Sequence, residues 1–198
     1  MAADDMDAAL KILVIGPSRR RLDDLMVALS HANPGHHLVG RLDRAIDLPR
    51  WVEEIAPDAV IMDVDSPSRD TLEQIVVMSD AAPRPIVMFS QDGSAQTMRS
   101  AVSAGVAAYV VNGLEAGRLQ PLLELARVRF EAWQALREDV LRARQELHDH
   151  KLVEQAKRRL MKCHQLSEEA AYQVLRREAM AQRKRLVEVA RVVLDQQA

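Results

Sequence analysis

The sequence predicts an α/β domain with a five-stranded parallel sheet, then a long helix and a bundle of three helices. Five short apolar runs alternate with helical patterns through residues 11–116, an order typical of a parallel sheet covered by helices. From Glu115 a helical pattern continues without a Gly- or Ser-rich linker. Beyond residue 150, three short apolar stripes need one another to be buried. The predicted segments are therefore 1–116, 117–150 and 151–198.

The five apolar runs predict the strands of the sheet. They are Ile12–Ile15, His37–Val39, Ala59–Met62, Ile86–Phe89 and Ala108–Val111. Most of these runs lack polar alternation, as expected for strands that are buried on both faces. Helical stretches separate them, for example 22–29, 71–79 and 95–104. Ligands of such sheets bind at the carboxyl ends of the strands, where the sequence places Gly16, Asp63, Ser90 and Asn112.

Three strings around these strand ends resemble one known domain. They are PDAVIMDVDSPSRD, PIVMFS and AGVAAYVVNG, and they resemble the receiver domain of two-component response regulators. The resemblance implies a flavodoxin-like fold, with Asp63 at the phosphoacceptor position. It also implies that Ser90 and Tyr109 stand at the two positions that switch when a receiver is phosphorylated.

The sequence departs from receivers at the residues that handle phosphate. The acidic pair that holds Mg²⁺ after the first strand corresponds to Gly16 and Pro17, and the usual lysine corresponds to Asn112. Phosphoryl transfer to a carboxylate needs its charge neutralised by a metal ion. We therefore expect a degenerate receiver that needs no cofactor and is not switched by phosphorylation; a phosphorylation-controlled regulator is the alternative.

Residues 117–150 predict a coiled-coil helix. Two series with a spacing of seven residues form a mostly apolar seam, in which Arg129 and His150 are the exceptions. The first series is Leu119, Ala126, Trp133, Val140 and Leu147; the second is Leu122, Arg129, Leu136, Ala143 and His150. Such a seam favours a homodimer. The alternative is that the helix folds back on the receiver.

The last segment combines helical stripes with positive charge. Ser167 is a predicted N-cap, with Glu168 and Glu169 at the positive end of the following helix. Residues 151–198 carry a net charge of +5, whereas residues 1–116 carry −7. Basic clusters at the helix junctions suit the neutralisation of nucleic-acid phosphates. A solvated helical face is the alternative reading of the same charges.

The string AKRRLMKCHQLSEEAAYQVLRREAMAQRKRLVEVA resembles the ANTAR domain of transcription antitermination regulators of the AmiR and NasT type. The resemblance implies binding to paired hairpins of a leader mRNA, which prevents a terminator from forming. We expect RNA contacts from the basic side chains and the one aromatic side chain of the segment. They are Lys157, Arg158, Tyr172, Arg176, Arg177, Arg183, Lys184 and Arg185.

Other function classes have less support in the sequence. A glycine-rich phosphate loop and a serine with a histidine partner at recognisable spacing are both missing, so we expect no enzyme, and no metal site is expected either. A DNA-binding regulator and a tail that docks another protein stay open. The lone Cys163 and the lack of a long apolar run favour a cytoplasmic protein without membrane contact.

The control of the protein is predicted from a closer resemblance. RPIVMF and AGVAAYVVNGL are most similar to the NasT branch. That branch implies nitrate or nitrite assimilation genes as targets and a ligand-sensing, NasS-like partner protein that holds the regulator inactive.

Overall fold

The computed structural model describes residues 9–16, 19–113 and 116–195. Five parallel strands form one sheet in the order β2-β1-β3-β4-β5, which confirms the predicted fold class. The strands are β1 (Lys11–Ile15), β2 (His37–Leu42), β3 (Ala59–Val64), β4 (Ile86–Ser90) and β5 (Ala108–Val111). Strand β2 continues three residues past its predicted end, through Gly40, because this glycine leaves room for the side chains of Leu13 and Ile55.

In the part of the chain that the structure describes, four α-helices connect the strands, and three more follow the last strand. Those of the α/β part are α1 (Arg19–Ala32), α2 (Leu48–Ile55), α3 (Arg69–Ala81) and α4 (Ala95–Ala104). A 3₁₀ turn at Ala116–Arg118 leads into α5 (Leu119–His164), which is followed by α6 (Glu168–Gln182) and α7 (Leu186–Asp195). Among the described residues, no helix is both long and apolar enough to cross a membrane.

The chain divides into two compact units, Met1–Trp133 and Gln134–Ala198. In the first unit, alternate residues of each central strand enter two separate cores. Leu13 and Ile15 pack on one face of the sheet, and Ile12 and Val14 pack on the other. Burial on both faces explains why the strands read as continuous apolar runs.

The start of α5 belongs to the second of these cores. Leu119 and Ala126 are 0% and 1% exposed, and they pack with Leu25 and Phe89. The prediction that Leu119 and Ala126 belong to a dimer seam is therefore wrong, because a seven-residue spacing fits burial against the sheet equally well. From Trp133 onward the seam residues Leu136, Val140 and Leu147 are exposed.

The second unit has its own small core between α6, α7 and the C-terminal part of α5. Its buried members include Ala156, Leu160, Ala171, Leu175 and Ala190. The Ser167 hydroxyl accepts a hydrogen bond of 3.2 Å from the backbone N–H of Ala170, as predicted for the N-cap of α6. The C-terminal part of α5 and the short helices α6 and α7 thus pack around one shared apolar centre.

Candidate nucleic-acid interface and receiver-like site

A tight turn between α6 and α7 presents consecutive basic side chains. Arg183 ends α6 in the left-handed region at φ 53°, and the backbone N–H of Lys184 bonds to the carbonyl oxygen of Ala179. This arrangement provides hydrogen-bond donors for carbonyl groups at the end of α6 that have no partner within the helix. Arg183 and Lys184 are exposed. The turn therefore carries two positive charges into solvent at a fixed backbone position.

Lys157 has a different environment from the other predicted RNA-binding residues. Its side chain is only 11% exposed, and Nζ lies 2.7 Å from Oε1 of Glu154 and 2.7 Å from Oε1 of Glu168. Hydrogen bonds to these two glutamates raise the pKa of Lys157, and the same lysine lowers the pKa of Glu168. Because two carboxylates neutralise the ammonium, Lys157 joins α5 to the start of α6 instead of pointing a net charge into solvent.

Arg185 is also engaged within the unit. One terminal nitrogen lies 2.9 Å from Oδ2 of Asp149, and the Arg185 backbone N–H donates to Oε2 of Glu188 at 2.7 Å. The second contact caps the beginning of α7. Arg159 donates to the carbonyl oxygen of Leu194 at 2.8 Å, near the C-terminal end of α7. These arginines hold α7 against α5.

The other predicted basic residues point away from the core. Within the described part of the chain, four of them form no ion pair and are exposed: Arg176, Arg177, Arg183 and Lys184. Arg158 is exposed as well, and its charge contributes to the lowered pKa of Glu168. Lys162 on α5 is also exposed, although the sequence analysis did not select it. The sequence alone does not show whether a lysine at this position of the helix faces the core or the solvent.

Tyr172 lies in a shallow groove between the three helices of the second unit. Its side chain is 39% exposed, and the groove is also lined by Val153, Leu186, Asp149 and Arg185. An aromatic ring at the surface can stack on an unpaired base. The single aromatic side chain is consistent with recognition of at most one or two unpaired bases.

At the carboxyl ends of β3 and β4 the first unit holds a receiver-like site. Asp63 is near the end of β3, and its side chain is 15% exposed. Oδ1 of Asp63 lies 2.9 Å from one terminal nitrogen of Arg21, and the other nitrogen lies 2.8 Å from Oδ1 of Asp65. Burial raises the pKa of Asp63, and the positive charge of Arg21 opposes this rise. Arg21, which the sequence analysis did not identify, thus supplies a positive charge at this site.

Both switch-equivalent residues are hydrogen-bonded to nearby loops. The Ser90 hydroxyl donates to the backbone carbonyl of Asp65 at 2.9 Å, and the Tyr109 hydroxyl donates to the backbone carbonyl of Asp92 at 2.7 Å. The Asp92 carboxylate accepts from the Ser66 and Thr97 hydroxyls and from the Ser94 backbone N–H. These donors lower the pKa of Asp92 to about 2. The loops after β3 and β4 are therefore joined without a phosphoryl group.

The residues at this site do not fit the magnesium site of a receiver. Mg²⁺ requires several oxygen ligands in octahedral geometry. Asp63 and Asp65 already bind Arg21, and Gly16 has no side chain. Pro17, at the other position of the missing acidic pair, lies outside the described residues. Asn112 follows β5 where receivers have lysine.

Comparisons with known proteins identify the C-terminal part of the chain. Residues 141–194 match the ANTAR domain family. Transcriptional regulatory protein PdtaR of Mycobacterium tuberculosis is 31% identical over 191 residues, which cover 96% of this chain and 93% of that protein. All the predicted RNA-binding residues lie within the ANTAR match.

Solved structures resemble the first unit. One is a putative pilus assembly-related protein from Burkholderia pseudomallei, with a TM-score of 0.56 and 23% identity over 62% of this chain and 92% of that one. Another is the receiver domain of a modulated diguanylate cyclase from Desulfovibrio desulfuricans, with a TM-score of 0.54 and 17% identity over 63% of this chain and 98% of that one. At these identities the likeness shows the fold alone.

Proposed function

The chain belongs to the ANTAR-domain response regulators, and on that premise we propose that it is an RNA-binding transcription antitermination regulator. It binds paired hairpins in a leader mRNA and prevents the terminator hairpin from forming. Residues 1–116, with the first turns of α5 that share their core, act as a degenerate receiver. The part of α5 from Trp133 to His150 acts as the coiled-coil helix, and residues 151–198 act as the ANTAR domain. The protein acts on nascent transcripts, which places it in the cytoplasm.

The observation that carries the proposal is the set of exposed, unpaired basic side chains on the ANTAR domain. Arg176 and Arg177 on α6 and the turn residues Arg183 and Lys184 supply four charges that no carboxylate of the described chain neutralises. Closely spaced phosphates bind such charges and release their counterions. Lys157 and Arg185 support this surface by holding the helices together.

The distribution of polar residues favours RNA over duplex DNA. A helix that reads the major groove needs polar side chains directed towards base edges. Helix α7 buries Val187, Val189 and Ala190, and its exposed residues include Glu188, Arg191 and Val192. This face offers one cationic side chain next to an anionic one. Folded RNA is a better match for the second unit than duplex DNA, because it can be recognised through its phosphates and through an unpaired base stacked on Tyr172.

A homodimer through α5 would present two ANTAR domains together. Trp133 and Leu136 are 41% and 64% exposed, and Val140 and Leu147 are 42% and 55% exposed. These four side chains continue the seven-residue spacing along one side of the helix. Because the second hairpin then binds as an intramolecular event, the dimer has a higher avidity than one domain.

A ligand-sensing, NasS-like partner protein controls access to the RNA in this proposal, rather than phosphorylation. The resemblance to the NasT branch supports this partner, and it makes nitrate or nitrite assimilation genes the expected targets. The Asp63 site supports control without phosphate because it lacks the acidic pair and the lysine of receivers.

An in vitro transcription assay tests the proposal. The template carries a promoter, a two-hairpin leader and a terminator, and full-length transcripts are counted with and without the protein. We expect the protein to increase readthrough, and the variant Arg176→Ala/Arg183→Ala/Lys184→Ala to lose this effect. The control variant Arg50→Ala/Arg69→Ala removes two exposed arginines of the first unit and keeps the effect. Unchanged readthrough with the wild-type protein contradicts the proposal.

A further inference from the structure

Arg21 occupies the centre of the receiver-like site. Its two terminal nitrogens bind two different carboxylates, Asp63 at 2.9 Å and Asp65 at 2.8 Å. The two contacts come from one guanidinium group, whose rigid fork fixes the relative positions of both carboxylates. Asp63 is largely buried. A buried carboxylate needs a nearby positive charge or hydrogen-bond donor, and Arg21 supplies both.

The backbone at Gly16 prevents the acidic ligand of receivers from being present here. Gly16 has φ +84°, and a Cβ atom added to it would lie 2.7 Å from the backbone carbonyl oxygen of Asp63. A residue with a side chain would therefore be strained and would displace β3. Gly16 is thus packed directly on β3, and the positive charge comes from Arg21 of α1 instead.

We infer that Arg21 is a resident cation that replaces the divalent metal ion and holds the receiver-like unit in one state without metal or phosphate. The positive charge is covalently part of the chain, so it cannot be withdrawn by chelation. One oxygen of Asp63 is engaged by Arg21, and Asp65 is held by the same group. Two carboxylates and one guanidinium group thus form an ion-pair cluster at the position that a receiver uses for phosphotransfer.

The hydrogen bonds around this cluster explain how one state is maintained. Asp65 is held by Arg21 through its side chain, and its backbone carbonyl accepts from the Ser90 hydroxyl and from the backbone N–H groups of Gln91 and Asp92. The carbonyl of Asp92 accepts from Tyr109. A continuous chain of contacts thus runs from Arg21 to both switch-equivalent residues.

The test measures metal binding and phosphorylation on the full chain, and RNA is not needed. Thermal unfolding of the wild-type protein is followed with and without millimolar Mg²⁺ or Mn²⁺, and no shift in Tm is expected. The variant Arg21→Gln should have a lower Tm without metal, because Asp63 and Asp65 lose their shared cation. Added Mn²⁺ should raise its Tm by about 3–6 °C when the ion is at about ten times its dissociation constant. Arg50→Gln, which removes an arginine paired with Glu54 on α2, should show neither effect.

A second measurement uses only the wild-type protein, so it does not depend on the folding of a variant. The chain is incubated with radiolabelled acetyl phosphate and Mg²⁺, beside a receiver that accepts phosphate. We expect no label on Asp63 and no Mn²⁺-induced broadening of the NMR signals of residues around it. Labelling of Asp63, Mn²⁺ binding by the wild-type protein, or an Arg21→Gln variant as stable as the wild type without metal would overturn the inference. Labelling of Asp63 would also contradict control without phosphorylation, but none of these outcomes bears on RNA binding, so the RNA-binding proposal and this inference fail separately.

Discussion

Replacement of Leu136 by alanine should weaken a homodimer formed through α5. Leu136 lies after the part of α5 that packs on the sheet, and it is 64% exposed. Its seam neighbours Trp133 and Val140 are also exposed. An apolar side chain in such a position gains free energy only if a second chain covers it.

The exposure of Leu136 sets the size of the effect. Complete burial of a leucine side chain contributes about 1.5–3 kcal/mol, so covering the exposed fraction contributes about 1–2 kcal/mol in each protomer. A symmetric dimer contains the residue twice, and alanine keeps part of the contact. The free energy of dimerisation should therefore change by about 2–3 kcal/mol, which raises the dimer dissociation constant roughly 30- to 150-fold.

Sedimentation equilibrium over a range of protein concentrations measures this dissociation constant. Leu141→Ala is the matched control, because Leu141 is on the same helix, is 55% exposed and lies outside the predicted seam. Leu141→Ala should leave the dissociation constant unchanged. Equal effects of the two substitutions, or a wild-type protein that stays monomeric at every concentration, would refute the coiled-coil reasoning.

Three further predictions concern single side chains. Lys157→Gln should lower the free energy of unfolding of the second unit at neutral pH and leave the salt dependence of RNA binding unchanged. Loss of an arginine that contacts a phosphate should instead reduce the slope of log binding constant against log salt concentration by about 0.7–0.9. The pKa of the Asp92 carboxyl, measured by carbon-detected NMR, should be about 2. Its stabilising effect should be present above pH 3.8 and lost as the pH falls towards 2. Thr97→Ala should raise this pKa, because it removes a hydrogen-bond donor to the carboxylate. Leu175→Ala should destabilise the second unit by about 2–5 kcal/mol in chemical denaturation, because Leu175 is 0% exposed in its core. Met180→Ala is the control at 70% exposure, and a comparable loss there would contradict the assignment of the core.

The parts of the structure that depend on local patterns were predictable. Each strand was visible as an apolar run because both faces of the sheet are covered. The positions of Asp63 and Ser90 near the ends of their strands followed from the same runs. The N-cap at Ser167 was predictable because capping depends on residues that are neighbours in sequence.

The features that depend on distant contacts were not predictable in the same way. Arg21 is one of three consecutive arginines, and only the fold brings it to Asp63, 42 residues further along the chain. In the sequence Lys157 is one basic residue among several, and only the fold shows that it is paired with Glu168. Leu119 and Ala126 match a coiled-coil spacing and a buried helix face equally well. Charge and periodicity thus identify residue types without identifying their partners.

Binding to a two-hairpin leader RNA across a salt series, beside duplex DNA of equal charge, tests the central claim most directly. The wild-type protein should prefer the paired hairpins. The variant Arg177→Ala/Arg183→Ala/Lys184→Ala should bind the RNA more weakly. Its slope of log binding constant against log salt concentration should be smaller in magnitude by about 2–3. Arg50→Ala/Arg69→Ala should match the wild type. Equal affinity for RNA and DNA, or no change in slope for the triple variant, would contradict an RNA-reading ANTAR surface.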